Sequence, residues 1–153
     1  MDLPAALAWL VGRWEGEGLG EYPNCADFTY RDEIEFSYAR LDRMVLAYSE
    51  HTWLADGSAS HEEAGYLRAT EAGRVEFVLA HPLGVVEVHD GTATDGRIEL
   101  SSLAIAYTPT GSQVTQMRRT IEHRDGDALW YRLEMAASGQ PLVHHCEATL
   151  HRV

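Results

Sequence analysis

The chain has 153 residues, 45% apolar and 24% charged, which suits one packed domain over residues 1–153 and leaves no room for a second of ordinary size. Its cations are 12 arginines and no lysine, against 24 acids, for a formal charge of −12. Such a surface repels phosphate backbones and anionic lipid heads, and a chain without lysine cannot anchor a Schiff base, so nucleic-acid binding, membrane binding and pyridoxal-type chemistry are set aside.

The N-terminal stretch MDLPAALAWLVGRWEGEG carries an acid at position 2 and only a short apolar run, so neither a signal peptide nor a membrane span is expected. A short helix is predicted there instead. Asp2 caps it, Pro4 sits in the first turn, the run Ala5 to Leu10 follows, and Gly12 stops it. Ten strands are predicted after it, near 12–20, 26–37, 43–54, 61–70, 74–81, 84–90, 97–106, 113–123, 128–136 and 142–152. They are separated by turn signals such as Ala55-Asp56-Gly57, Asp90-Gly91-Thr92, Thr94-Asp95-Gly96 and Asp125-Gly126-Asp127. Alternation is clearest where Phe28, Tyr30, Asp32 and Ile34 oppose Thr29, Arg31, Glu33 and Glu35, and where Val75, Phe77, Leu79 and His81 oppose Arg74, Glu76, Val78 and Ala80.

Ten consecutive strands with short connections favour an all-β fold, an antiparallel up-and-down barrel, because closure removes the unpaired edges of a long meander. A barrel of this size has interior volume for a small ligand. Cys25 and Cys146 lie far apart and match no zinc spacing, so a reduced, cytoplasmic protein is expected.

Gly12, Gly16 and Gly18 flank Trp14 on one face of the first strand. Glycines inside a strand mark close backbone approach or a ligand, and the structural reading is favoured here, with Trp14 as a core plug. Among eight histidines, His51, His61, His89 and His123 have polar neighbours and read as surface residues, while His81 before Pro82 reads as a turn residue bonded to backbone. The acid pairs Asp32-Glu33 and Glu62-Glu63 read as solvated faces. His144 and His145 are adjacent on the last strand, so regular pairing points only one of them inward, and the apolar company of Leu142, Cys146, Ala148 and Leu150 favours His144. One inward histidine is a poor zinc site, since that metal wants three or four protein ligands, but it suffices as the axial ligand of a haem. No GxSxG elbow, HExxH, GxGxxG or P-loop is present.

The motifs Gly12-x-Trp14-x-Gly16-x-Gly18, Gly20-Glu21-Tyr22-Pro23 and His61-Glu62-Glu63-Ala64-Gly65-Tyr66-Leu67-Arg68 occur in this order. Val78-Leu79-Ala80-His81-Pro82-x-Gly84, Met135-Ala136-Ala137-x-Gly139-Gln140-Pro141-Leu142 and a final His-x-x-Ala-Thr-Leu segment follow them. Together they resemble the nitrobindins, ferric-haem β-barrel proteins, one of which forms the C-terminal domain of a human THAP protein. The resemblance runs from Gly12 to Arg152. It implies a ten-stranded barrel shaped like a fatty-acid-binding protein, holding one ferric haem b per chain, binding nitric oxide and isomerising peroxynitrite to nitrate.

Aligned on Gln140-Pro141-Leu142 and Ala148-Thr149-Leu150, the resemblance places the iron ligand on His145, against the alternation reading, and a bulge would reconcile the two. Cys146 stands where leucine is common. The family's haem-contacting lysine is absent, and Gln113, near that position, would hydrogen-bond a propionate without neutralising it. An apolar distal wall, small anionic or diatomic ligands as partners, and a monomer or weak homodimer complete the expectation. The competing readings are a carrier of a fatty acid or other apolar ligand, and a haem or nitric-oxide sensor without turnover.

Overall fold

A computed structural model of the protein describes residues 3–42, 44–71 and 73–153. One short helix, α1 (Ala5–Ala8), precedes ten strands. These are β1 (Gly12–Tyr22), β2 (Cys25–Tyr38), β3 (Val45–Leu54), β4 (Ala59–Ala69), β5 (Arg74–His81), β6 (Val85–Thr94), β7 (Arg97–Tyr107), β8 (Val114–Arg124), β9 (Ala128–Ala137) and β10 (Val143–Arg152). Every sequence neighbour pairs antiparallel and β1 also pairs with β10, which closes the barrel as predicted.

Two predicted details, the Asp2 cap and a third strand beginning at 43, lie outside the described residues. The helix itself is one turn long. Pro4 precedes it as the capping residue and gives no side-chain cap, its carbonyl accepting from Leu7 N at 2.9 Å and Ala8 N at 3.0 Å. With so few internal bonds this turn depends on burial, and Leu7 and Leu10 are fully enclosed at one end of the barrel.

The sixth strand runs four residues beyond its predicted end because Asp90-Gly91 is not a turn. Gly91 lies within β6, and a Cβ there would stand 1.8 Å from the Glu99 carbonyl oxygen, so the glycine permits close approach of β7. The reversal falls at Asp95-Gly96 instead, where Gly96 has φ +69°.

Gly16 plays the corresponding part at the closing seam. Its Cα faces β10, where an added Cβ would lie 2.1 Å from the Thr149 carbonyl oxygen. Gly18 sits beneath the ring of Tyr30. Trp14 is buried and donates its indole N–H to the Leu10 carbonyl at 2.8 Å, while the Arg152 guanidinium covers its ring at 4.1 Å. Gly12 has φ +136°, a backbone that other residues rarely adopt. The first-strand motif thus closes and plugs the barrel.

The interior is layered along the strands. An apolar floor holds Trp14, Phe36, Leu46, Leu67, Phe77, Ile98, Leu129 and Leu150. A smaller cluster of Tyr22, Val114, Met117 and Ala137, packed with Leu133 and Met135, forms a second apolar region. Buried polar side chains interrupt this apolar interior, and they sit on the same inward faces as the floor residues: Asp32 with Ile34, Glu63 with Leu67, and Arg119 with Ile121.

Candidate functional site

A cavity of about 400 Å³ opens into the barrel, within the range of small-molecule and cofactor sites. Its walls include Phe28, Tyr30, Val114, Met117, Leu133 and Met135, and its polar lining includes His61, Glu63, His81, Glu87, Arg119 and His145.

His145 reaches this cavity through an irregularity in the last strand. The β10–β9 register pairs His144 with Glu134 and then Cys146 with Leu133, leaving His145 as the extra residue of a bulge. The bulge lets His145 and Cys146 both line the cavity although they are consecutive. His144 is taken by the Glu21 carboxylate instead, with Nδ1 2.5 Å from Oε1. The alternation reading that favoured His144 is thereby corrected: it assumed regular pairing, which fails at this one residue.

The His145 ring is oriented by the main chain. Nδ1 lies 3.1 Å from the Glu21 carbonyl oxygen, an acceptor only, so the N–H is on Nδ1 and Nε2 carries the lone pair. Burial is the largest influence on this ring and holds its pKa below the ordinary histidine value. The edge of Tyr22 packs against it, with ring centroids 5.4 Å apart. A half-buried neutral imidazole with one nitrogen held and the other facing the cavity is the donor a haem iron requires from its protein. The neighbouring Cys146 thiol, pushed up to about 12 by burial, stays protonated and is no competing thiolate. The donor chemistry therefore fits a haem, and the cavity opens directly beside the donor.

Gln113 is exposed immediately before β8 and is not among the cavity-lining residues, whereas its neighbours Ser112 and Val114 are.

Several residues read as surface or turn groups are in fact buried. Asp32, Glu63 and His89 are 0%, 1% and 0% exposed, so neither acid pair is a solvated face and His89 is not a surface residue. They belong to a connected polar belt. Arg119 donates to both oxygens of Glu63 at 2.7 and 3.1 Å and to Glu87 at 3.0 Å. Tyr48 donates to Glu63 at 2.9 Å, His89 Nε2 lies 2.9 Å from Glu87, and His81 Nε2 bonds Glu87 as well. His81, expected to bond backbone at a turn, is tied instead to two carboxylates. From β9, Tyr131 donates to Asp32 at 2.6 Å and shares a 2.7 Å hydroxyl contact with Tyr30.

The environments of these acids divide them. Burial raises Asp32 to about 6 and pushes Glu50 well up. Burial is the largest single influence on Glu63 and Glu87 and acts to raise them, but the Arg119 guanidinium together with hydrogen bonds from His61, His81 and His89 outweighs it, and both are held well below the usual carboxylate range. The expected apolar distal wall is thus only partly present, since the cavity also carries this polar belt.

The residues that this reading missed were visible in one signal. Inward periodicity alone places Asp32 with Tyr30 and Ile34, and Glu63 with Leu67.

A closed ten-stranded barrel that presents a neutral histidine, His145, beside the apolar part of its cavity is a container suited to a haem. Residues 4–152 match the THAP4-like, haem-binding β-barrel domain family, and the chain belongs to that family. It is 45% identical over 153 residues to peroxynitrite isomerase 2 of Mycobacterium avium, covering 97% of this chain and 93% of that one. It is 44% identical to peroxynitrite isomerase of Nocardia farcinica, covering 97% and 89% of the two chains. The crystal structure of Rv2717c from M. tuberculosis superposes with a TM-score of 0.87 at 41% identity, over 99% of both chains.

Proposed function

We propose that this protein holds one ferric haem b through His145 Nε2 and isomerises peroxynitrite to nitrate, binding nitric oxide at the same open iron position. The observation that carries the assignment of the ligand is the β10 bulge, which turns His145 into the cavity with Nδ1 held by the Glu21 carbonyl. A ferric haem held there would supply a Lewis-acidic iron, the chemistry needed to rearrange the O–O bond of peroxynitrite.

The chain's own residues do the rest. Tyr22 and the Glu21 carbonyl fix the imidazole, while Val114, Met117, Leu133 and Met135 give the macrocycle an apolar wall. Gln113, exposed beside the lining residues Ser112 and Val114, is assigned a hydrogen bond to a propionate. His61 and His81, on the cavity wall, supply polar contacts for an anionic substrate.

The fatty-acid carrier reading is disfavoured by Arg119. A buried cation would anchor the carboxylate head of a fatty acid, and this guanidinium is already shared between Glu63 and Glu87. We place the protein in the cytoplasm, as a monomer or weak homodimer with no nucleic-acid or membrane partner. Among the described residues no helix is long and apolar enough to cross a membrane.

The test is stopped-flow decay of peroxynitrite with nitrate measured at the end point. The proposal expects faster decay and a raised nitrate yield with the hemin-loaded protein. Haem binding without either effect would leave a sensor in its place.

A further inference from the structure

One cluster in the cavity, from which His61 and His81 also face the substrate, has a geometry that a haem held through His145 does not require. His61 Nε2 lies 3.1 Å from Glu63 Oε2, and His81 Nδ1 lies 3.4 Å from the same oxygen. One donor atom from each of the three residues lies within 4.8 Å of the others. We propose that His61, Glu63 and His81 form a second metal site, separate from the haem, for a first-row divalent cation such as Zn²⁺ or Fe²⁺.

Ligands about 2.0–2.1 Å from a tetrahedral metal stand about 3.3 Å from one another. The two separations from Glu63 Oε2 bracket that value, and the two histidine nitrogens lie within 4.8 Å of each other, so a small rotation of one ring completes the set. Two imidazoles and one carboxylate form the donor set of catalytic zinc sites and of non-haem ferrous centres, both of which keep an open position. Here the open side is the cavity, which all three residues line.

The surrounding groups are arranged as supporting shells for metal ligands are. His81 Nε2 is held by Glu87, which fixes the ring and leaves Nδ1 facing Glu63. With the N–H on Nε2, a lone pair on Nδ1 confronts a carboxylate oxygen at 3.4 Å, an arrangement that calls for a cation between them. Arg119 and Tyr48 hold Glu63 Oε1 at 2.7 and 2.9 Å, and Arg119 also donates to Oε2 at 3.1 Å, which fixes the carboxylate with Oε2 beside the two histidines. Glu63 and Glu87, both held ionised, share the one guanidinium of Arg119, so this pair of buried carboxylates keeps a net negative charge that a cation would offset.

The test uses the untagged full-length protein, stripped of metal and free of haem. Titration with Co²⁺ is expected to produce visible ligand-field bands that saturate at one equivalent, and Zn²⁺ is expected to displace them. His61→Ala removes a half-exposed side chain and leaves the fold intact; it is expected to weaken Co²⁺ and Zn²⁺ at least about 100-fold. Glu87→Gln, which keeps an acceptor for Arg119 and His89 while loosening the support of His81, is expected to cost about 10–100-fold. His144→Ala and His145→Ala are expected to bind cobalt like the parent, which separates this site from the haem ligand and from the exterior His144–Glu21 pair. Absence of a one-equivalent cobalt spectrum would overturn the proposal, leaving a proton as the cation between His81 and Glu63. So would undiminished binding by His61→Ala, or loss of binding in His144→Ala.

Discussion

His144 and His145, consecutive in the chain, are both held by Glu21, one through its carboxylate and the other through its main-chain carbonyl. The bulge separates them, sending His145 to the cavity and His144 to the Glu21 side chain. Because the carbonyl survives any substitution of the side chain, Glu21→Ala is expected to bind hemin with the affinity of the parent. Its stability should fall by no more than about 1 kcal/mol, as for a partly exposed ion pair. Hemin titration and urea denaturation of this variant check both statements.

Arg119 neutralises two buried carboxylates, so its removal strands both. Arg119→Met is expected to lose about 3–5 kcal/mol in urea denaturation at neutral pH. Adding Glu63→Gln and Glu87→Gln to it should recover part of that loss, because the uncompensated charges go with them.

Asp32 gives a pH signature. Its carboxyl is raised to about 6 by burial, with the Tyr131 hydrogen bond opposing, so the folded chain holds a proton that the unfolded chain releases near pH 4. Stability therefore falls as pH rises from about 4 to 6, and the full cost remains above that window. Asp32→Asn escapes it. The variant's stability relative to the parent is expected to climb across this interval by up to about 3 kcal/mol, measured by urea denaturation from pH 4.5 to 7.5.

Gly16 leaves no room for a methyl group against the Thr149 carbonyl. Gly16→Ala is expected to destabilise the closing seam by about 1–3 kcal/mol. The folded fraction should bind hemin normally, since this glycine serves strand packing. A loss of haem affinity without loss of stability would make it part of the ligand wall.

The formal charge of −12 repels an anionic substrate. Salt shortens the reach of that field to about 8 Å at physiological ionic strength. The second-order rate with peroxynitrite is therefore expected to rise with added inert salt, read by stopped flow on the hemin-loaded protein.

Much of the barrel is legible from alternation, because a strand with one buried face repeats every two residues, as Val75, Phe77 and Leu79 do in β5. What alternation could not reveal is where it breaks. The β10 bulge inserts one residue, and only the family pattern around Gln140-Pro141-Leu142 pointed to His145 before the register was known. The polar belt was hidden for another reason. Runs of acids are usually solvated, and that tendency overrode the periodicity that already set Asp32 beside Tyr30 and Ile34. Burial of such acids depends on partners distant in the chain, as Arg119 is from Glu63, and no local reading of Glu62-Glu63 contains that partner.

Hemin titration of the parent, His145→Ala and His144→Ala, followed by the Soret band, tests the assignment of the iron ligand most directly. A sharp band at one equivalent is expected for the parent and for His144→Ala, with loss of the band in His145→Ala. Equal haem binding by His145→Ala would contradict the account.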